Sequence, residues 1–519
     1  MLKKLLVLAL IMLLSFSMIA CDLEEVVEVE DGDQNEQNND GTNDLKDPNR
    51  EETPSTQDPP AEEKQPTRTE PAPEVKDFGG YAFKIRSDGI GTYEIVAPTE
   101  LNGQGINDVT YRRNKTVEAL YHVTIVEEVY PDKSGLDSIT DLQRFEMSGD
   151  VYYADLHAIE AERMLGGAVG SSGYFYNLYD VDSLDLAKPW WDQAFLAATT
   201  IDGYAYGLVG DISTTDELAI QPLILNAGFL KSALPYVDVY QMLDTGNWTM
   251  ERFWGLCQTF DTSVNGTTKD RYGLIYDSSL PMSLFAASGT KTFGGTYETL
   301  TLNFGIQSNL ESTVVSLLQA IADGVALGDT TWISDTPSDQ APYTYASARQ
   351  HFLEDGALMM TGTIEDALTR LGEKEDVYYL PYPKYDLEQE GYHSLVKNDF
   401  AIYAIPMSTP DAERTGLIAE ALAYYSVEMT SAVEQLLLDR SFTDKNEALA
   451  ILKITLGSKS YDMGALVEIS PYHAEVFQMM QNGQLDSYDT AMTVWARQMI
   501  NARGKGALQI FFKKYTTTG

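Results

Sequence analysis

The side chains best suited to hold a ring-shaped ligand are two adjacent tryptophans, Trp190 and Trp191, in the stretch PWWD at positions 189–192. A large aromatic face can stack on a sugar ring and anchor it. Asp211 ends an apolar stretch, and its carboxylate could accept hydrogen bonds from ligand hydroxyls or pair with a cationic ligand. These three residues are predicted to bind ligand. The alternatives are core packing for both rings and a turn-forming role for Asp211.

Residues for covalent or metal-assisted catalysis are sparse. The five histidines are scattered, without a His-Glu-x-x-His motif or a close pair for zinc. The sequence has no G-x-S-x-G elbow, Walker loop or dinucleotide fingerprint. Cys257 is predicted to be an inert buried thiol. We therefore expect no catalytic residue, no metal ion and no cofactor.

One stretch, from Asp261 to Gly266, is similar to the start of a calcium loop. Its twelfth position holds Tyr272 instead of a bidentate glutamate, and its ninth holds Lys269. We interpret the stretch as a polar turn, with a calcium site near Asp261 as the alternative.

The N-terminus has the order of an export signal. Lys3 and Lys4 precede an uncharged run over 5–20, which is shorter than the roughly 20 residues that a spanning helix needs. The run ends in Met-Ile-Ala-Cys, which resembles a bacterial lipobox, so 1–21 is interpreted as a lipoprotein signal peptide with a lipidated Cys21. A plain secretory signal and a membrane span are the alternatives.

The segment 22–77 has the composition of a disordered tether. It holds 19 Asp or Glu against 5 Lys or Arg, with 7 Pro and no aromatic residue. Such a segment cannot bury enough apolar surface to offset its ordering entropy. The whole chain carries a net charge of −42, which excludes nucleic acid as a partner and favours a neutral or cationic solute.

The elements that must position the candidate residues alternate between strand and helix through the remaining residues, 78–519. Apolar periodicity predicts strands over 81–85, 122–125, 153–159, 356–362 and 400–405, and helices over 106–121, 411–425 and 430–438. Alternation on this scale indicates an α/β protein with mostly parallel sheets.

Five short stretches in this body resemble those of one known family and follow in the same order. They are Arg113-Asn114 with Tyr121-His122-Val123, Ala154-Asp155-Leu156, Leu223-Ile224-Leu225-Asn226, Gly246-Asn247-Trp248-Thr249 with Phe253, and Leu380-Pro381-Tyr382-Pro383-Lys384. Together they resemble the extracellular solute-binding lipoproteins of ABC importers, in the maltose-type, family 1 carbohydrate-binding group.

The resemblance implies a two-lobed, periplasmic-binding-protein-like (type II) α/β fold with a ligand cleft between the lobes. It places the lobe boundaries within 78–519 near 216–226 and 395–405. It adds four candidate ligand-binding residues. Glu162 and Arg163 stand where sugar-binding relatives place an acidic–arginine pair, with an exposed ion pair at a helix start as the alternative. Thr363 and Glu365 lie in the loop where relatives stack an aromatic on the ligand, although Ile364 replaces that aromatic here.

The implied function is that of a receptor, not an enzyme. The protein would bind a small solute, most often a sugar or oligosaccharide in this family, and deliver it to ABC transporter permease subunits. We expect a monomer anchored to the cell membrane through lipid on Cys21, at the extracellular or periplasmic face. The alternatives are a ligand-presenting sensory lipoprotein and a secreted glycoside hydrolase, which needs two carboxylates roughly 5 to 9.5 Å apart.

Overall fold

The computed structural model describes residues 68–90, 96–130, 138–148, 154–166, 173–259, 271–291, 293–294, 301–302, 324, 330–333, 343–372, 374–439 and 444–466. All of them belong to one unit, Gln65–Gly519. Cys21, the predicted tether up to residue 67 and the calcium-like stretch at 261–266 lie outside the described residues. The proposals for these segments therefore stay predictions.

The first sheet has four strands in the order β12-β3-β1-β2. β1 pairs in parallel with both β2 and β3, whereas β12 is antiparallel to β3. Buried and partly exposed residues alternate along β1, which is the pattern that predicted this strand. The strands are β1 (Tyr81–Ser87), β2 (Val123–Val129), β3 (Leu156–Glu160) and β12 (Ala401–Ala404).

The second sheet has five strands in the order β10-β4-β9-β5-β8. β9, β5 and β8 are parallel, whereas β10 and β4 run antiparallel to their neighbours. Four of the five strands therefore point the same way and β4 alone is reversed, so the sheet is mixed although it is mostly parallel, as expected. The strands are β4 (Leu223–Asn226), β5 (Tyr272–Tyr276), β8 (Thr330–Trp332), β9 (Ala357–Thr361) and β10 (Val377–Leu380).

Two short ribbons complete the described strands. β6 (Phe293–Gly294) is antiparallel to β7 (Thr301–Leu302), and β11 (Ser394–Leu395) is parallel to β13 (Lys459–Ser460).

Several of the helices begin at a side chain that caps their first turn. Asp411 accepts a hydrogen bond from the backbone N–H of Arg414, and Thr249 caps the helix after Trp248 in the same way. The described α-helices are α1 (Gly105–Tyr121), α2 (Ser138–Ser148), α3 (Gln193–Thr199), α4 (Thr215–Leu218), α5 (Ala227–Ala233), α6 (Val239–Asp244), α7 (Met250–Gln258), α8 (Leu280–Ala287), α9 (Tyr345–Leu353), α10 (Ile364–Arg370), α11 (Ala412–Tyr424), α12 (Met429–Leu438), α13 (Lys445–Leu456) and α14 (Met463–Leu466).

Each sheet has its own hydrophobic core, so we call the two parts the first and second lobes. Phe83, Ile85, Val117 and Ile418 share the core of the first lobe. The second lobe buries another set, which includes Trp248, Phe253, Leu274 and Met359. None of the helices in the described ranges has both the length and the apolarity that a membrane crossing requires.

Two of the passages between the lobes in the described chain are paired with each other. Ile220 forms an antiparallel bridge with Val396. Around it, Gln221 N donates to Leu395 O at 2.9 Å, and Lys397 N donates to Ala219 O at 3.0 Å. We call residues 219–222 and 395–400 the crossing segments.

Candidate functional site

The carboxyl ends of the parallel strands in both sheets meet at the crossing segments. After β3, Ala161 N donates to Phe400 O at 2.9 Å. After β9, Ile364 N donates to Ile220 O at 3.0 Å. Open α/β sheets bind ligands beside the carboxyl ends of their strands. We call the region where both edges reach the crossing segments the crossing site, and we regard it as the candidate ligand site.

The first lobe contributes a charged edge to the crossing site. Arg163 Nε lies 2.8 Å from Glu160 Oε2, and Arg163 Nη1 lies 3.6 Å from Asp88 Oδ2. Burial raises the pKa of Glu160, and the neighbouring Arg163 offsets only part of that effect. The predicted Glu162–Arg163 pair therefore has a different geometry. Glu162 is exposed, whereas Arg163 turns back toward the carboxylates that follow β1 and β3.

The second crossing segment itself carries a lysine, Lys397, that faces carboxylates. Lys397 Nζ lies 2.9 Å from Asp399 Oδ2. Partial burial lowers the pKa of Lys397, but Asp399 and, from the second lobe, Asp366 and Asp277 outweigh it, so the pKa is raised. A carboxylate of the crossing segment itself and two carboxylates of the second lobe therefore act on one side chain at the crossing site.

The second lobe adds a small pocket of about 40 Å³ beside the ends of β5 and β9. The space suits a few water-sized polar groups, so a larger ligand would have to extend beyond it. Tyr345 Oη donates to Asp277 Oδ2 at 3.2 Å, and Asp277 N donates to Thr361 Oγ1 at 3.0 Å. The polar lining comprises Asp277, Tyr345, Arg349, Thr361, Asp366 and Arg370, and Ile224 and Met360 contribute apolar surface.

The charged groups of this pocket are unequally paired. Arg370 Nη2 lies 3.1 Å from Asp366 Oδ1, an ion pair along one turn of α10. Within the described part of the chain, the half-exposed guanidinium of Arg349 has no ion-pair partner. A carboxylate, a phenol and a guanidinium around a partly apolar pocket can accept and donate hydrogen bonds to a polyhydroxylated ligand.

The two residues predicted in the loop after β9 lie at this edge. Thr363 is buried and caps α10, because its side chain accepts from Asp366 N at 3.0 Å. Glu365 is partly exposed in the first turn of the same helix. Thr363 thus has a structural role, and its neighbour Asp366 faces the pocket.

Trp190 and Trp191 lie in the core of the first lobe, each only 1% exposed. Trp190 Nε1 donates to Glu420 Oε1 at 3.1 Å, and Trp191 Nε1 donates to Glu420 Oε2 at 2.9 Å. A Cβ at Gly210 would lie 2.1 Å from Trp190 O, so only glycine fits against this turn. The rings correspond to the core-packing alternative, because neither has a free face for a ligand.

Asp211 lies beside these tryptophans and forms an ion pair with Arg68. Burial raises its pKa, although Arg68 acts in the opposite direction. The carboxylate predicted to bind a ligand therefore binds a side chain of the same protein.

A buried charge cluster lies close to Asp211. Lys459 Nζ is 2.6 Å from Asp216 Oδ2 and 2.8 Å from Asp192 Oδ2. Tyr461 Oη donates to the same two oxygens at 3.0 and 3.1 Å. Burial and the adjacent Asp216 raise the pKa of Glu217 well above its usual value. The cluster connects β13, which pairs beside the second crossing segment, to α4, which precedes the first.

No group of three or more His, Cys, Asp or Glu side chains within the described residues could hold a metal ion. The buried thiol of Cys257 has a pKa raised by burial. Neither the crossing site nor the rest of the described chain therefore supplies the parts of a metal centre or of an activated thiol.

Sequence reasoning missed Asp277, Tyr345, Arg349 and Lys397. Asp277 carries a usable signal, because it follows the apolar run Gly273-Leu274-Ile275-Tyr276 and ends a strand as a site residue should. Tyr345 and Arg349 are four residues apart on α9 and therefore share a helix face. Nothing local distinguishes them from any other exposed helical pair.

Comparison with known proteins identifies the fold. No protein-family model and no curated protein matches the sequence. A family 1 extracellular solute-binding protein from Bifidobacterium longum subsp. infantis is similar in structure, with a TM-score of 0.50 and 14% identity, covering 80% of this chain and 100% of that chain.

Two further solved structures give the same result. The galacto-N-biose-/lacto-N-biose I-binding protein of the Bifidobacterium longum ABC transporter has a TM-score of 0.51 at 11% identity, covering 82% of this chain and 98% of its own. A cyclo/maltodextrin-binding protein complexed with maltotetraose has a TM-score of 0.50 at 15% identity, covering 85% of this chain and 99% of its own. The chain therefore has the two-lobed α/β fold of the solute-binding proteins, and the predicted fold class is confirmed.

Proposed function

We propose that this protein is a solute-binding receptor that delivers a carbohydrate to an ABC transporter permease. The crossing site carries the proposal, because the strand ends of both lobes meet at the paired crossing segments. A solute bound there would be contacted from both sides, and rotation about the crossing segments would enclose it.

The chemistry around the crossing site supports a polar, uncharged ligand. The described groups include the Arg163–Glu160 pair on the first lobe and Asp277, Tyr345 and Arg349 on the second. Planar charged groups bind vicinal hydroxyls through paired hydrogen bonds. Two of the neighbours of similar fold are complexed with lacto-N-biose and with maltotetraose, which favours a sugar or oligosaccharide here.

The cellular setting is part of the same proposal. The lipobox-like Met18-Ile19-Ala20-Cys21 would place lipid on Cys21, and the acidic segment after it would tether the body at the extracellular or periplasmic face. Tethering raises the effective concentration of a receptor near its permease without any new contact. We infer that the receptor acts as a monomer.

A thermal-shift screen of the chain from residue 22, against mono- and oligosaccharides, peptides and amines, tests the proposal. A specific ligand at a hundredfold excess over Kd should stabilise the folded state by about 2.7 kcal/mol. Small-angle scattering with the hit should then give a smaller radius of gyration, because closure brings the lobes together.

The outcomes separate the alternatives. A hit among peptides or amines alone would contradict the carbohydrate assignment. Consumption of the sugar during incubation would contradict the receptor assignment and favour a glycoside hydrolase. Binding and compaction, with no defect in sugar uptake after gene deletion, would favour the sensory lipoprotein.

A further inference from the structure

Arg68, the first described residue, contacts several groups of the first lobe at once. Arg68 Nε donates to Tyr424 O at 2.8 Å, and Arg68 Nη2 donates to Ala423 O at 3.1 Å and to the carboxylate of Asp211. The guanidinium carbon lies 5.4 Å from the centroid of the Trp190 ring. Only 12% of the Arg68 side chain is exposed, although the residue belongs to the predicted tether.

The surroundings of Arg68 suit a guanidinium better than an ammonium. The two carbonyls come from the end of α11, where the macrodipole favours a cation. The carboxylate and the ring of Trp190 add an ion pair and a cation–π contact. A planar fork can reach several acceptors and still face an aromatic ring, whereas the point charge of lysine cannot.

The residues after Arg68 continue along the same lobe. Tyr424 Oη donates to Glu70 O at 3.2 Å, and Tyr121 Oη donates to Pro73 O at 3.4 Å. Phe78 N then donates to Tyr121 O at 2.9 Å. These partners lie on α1 and α11, which both pack in the first lobe. Within the described residues, contacts with the body therefore already occur at Arg68, ten residues before Phe78, where the sequence placed the boundary.

We propose that Arg68 is an anchor that fixes the tether to the first lobe beside Asp211. The free part of the tether then ends before residue 68, and residues 68–77 belong to the body. If the protein is the anchored receptor proposed above, the first lobe is the part held at the tether, and the second lobe is the part that moves when the site closes.

Limited digestion of the full chain with trypsin tests the anchor, because Arg68 is itself a cleavage site. Trypsin must take the arginine side chain into its own pocket, so an anchored Arg68 has to leave the protein first. Mass spectrometry should show cleavage after Lys64 at least roughly tenfold faster than cleavage after Arg68. The first stable fragment should therefore begin at Gln65.

Arg68→Lys keeps the cleavage site and the charge but cannot make the same set of contacts, so cleavage after position 68 should become several-fold faster. Arg50→Lys makes the same exchange within the acidic tether and calibrates the preference of trypsin for the two residues. Asp211→Asn should likewise expose Arg68, with an unchanged melting temperature showing that the fold is intact.

Cleavage of the unmodified chain after Arg68 as fast as after Lys64 would overturn the anchor. An Arg68→Lys rate that changes no more than the Arg50→Lys rate would overturn it as well. The digestion needs no ligand and no transporter, so its failure would leave the receptor proposal standing, and failure of the receptor proposal would leave the anchor standing.

Discussion

The two regions that offer the most binding chemistry differ in what their polar groups contact. In the first lobe, the indole N–H groups of Trp190 and Trp191 both donate to Glu420, and Asp211 forms an ion pair with Arg68. At the crossing site, Arg349 has no ion-pair partner among the described residues, and Tyr345 is 46% exposed. The aromatic cluster of the first lobe is thus part of a hydrophobic core. The crossing site is instead a candidate site because it lies beside strand ends.

A conspicuous cluster of polar and aromatic side chains can thus have all its hydrogen-bonding groups paired within the protein. A buried carboxylate and two buried indoles satisfy one another, which leaves nothing for a ligand. The crossing site has fewer aromatics, yet its groups stand where two lobes can enclose a solute. Three measurements test this difference between the two regions.

The largest effect is expected for Trp190→Ala and Trp191→Ala. Each should lower the free energy of unfolding by about 3–5 kcal/mol, because a large core ring is removed and Glu420 loses a hydrogen-bond donor. Denaturant melts measure the loss, with Tyr236→Ala as the control, since Tyr236 is 79% exposed. A variant that keeps near wild-type stability but loses sugar affinity would show instead that the tryptophan binds the ligand.

The second test uses the pH dependence of stability. Burial raises the pKa of Glu420 to about 7, although hydrogen bonds from Trp191 and Trp190 act against it. The folded state therefore holds this proton more tightly than the unfolded state, whose pKa is near 4.5. Stability from this group is present below pH 4.5 and is lost as the pH rises to about 7, at no more than about 1.4 kcal/mol per pH unit.

Glu420→Gln should remove that component, so the difference in unfolding free energy between wild type and variant should change across this pH range and level off above it. Glu388→Gln, at an exposed position, should follow the wild type throughout. A constant difference between wild type and Glu420→Gln from pH 4.5 to 7 would contradict the buried carboxylate between the two indoles.

The smallest effect on the protein, and the most informative about the site, is expected for Arg349→Ala. Loss of a charged hydrogen-bond donor should weaken a sugar ligand by about 1.5–3 kcal/mol, or at least roughly tenfold in Kd. The unfolding free energy should stay within about 0.5 kcal/mol. Calorimetry measures the Kd and denaturant melts measure the free energy of unfolding, with Arg252→Ala, at an exposed position on α7, as the control. Unchanged affinity would move the site away from this pocket.

Periodicity in the sequence predicts five of the strands and three of the helices, in the order in which the structure has them. The alternation over 81–85 predicted β1, and the apolar face over 106–121 predicted α1, whose bounds in the structure are Gly105–Tyr121. Such patterns are legible because each residue's burial follows from its neighbours two, three or four positions away. The order of five short motifs then indicated the two-lobed fold, which the structural neighbours confirm.

Which polar groups are paired within the protein depends on packing between distant segments. The partner of both tryptophans, Glu420, lies about 230 residues further along the chain, and Arg68 and Asp211 are 143 residues apart. The four lining residues Asp277, Tyr345, Arg349 and Thr361 come from three separate segments. No local pattern encodes such meetings, because they depend on how strands and helices pack after they have formed. The sequence could therefore name the class of site, whereas packing selected its residues.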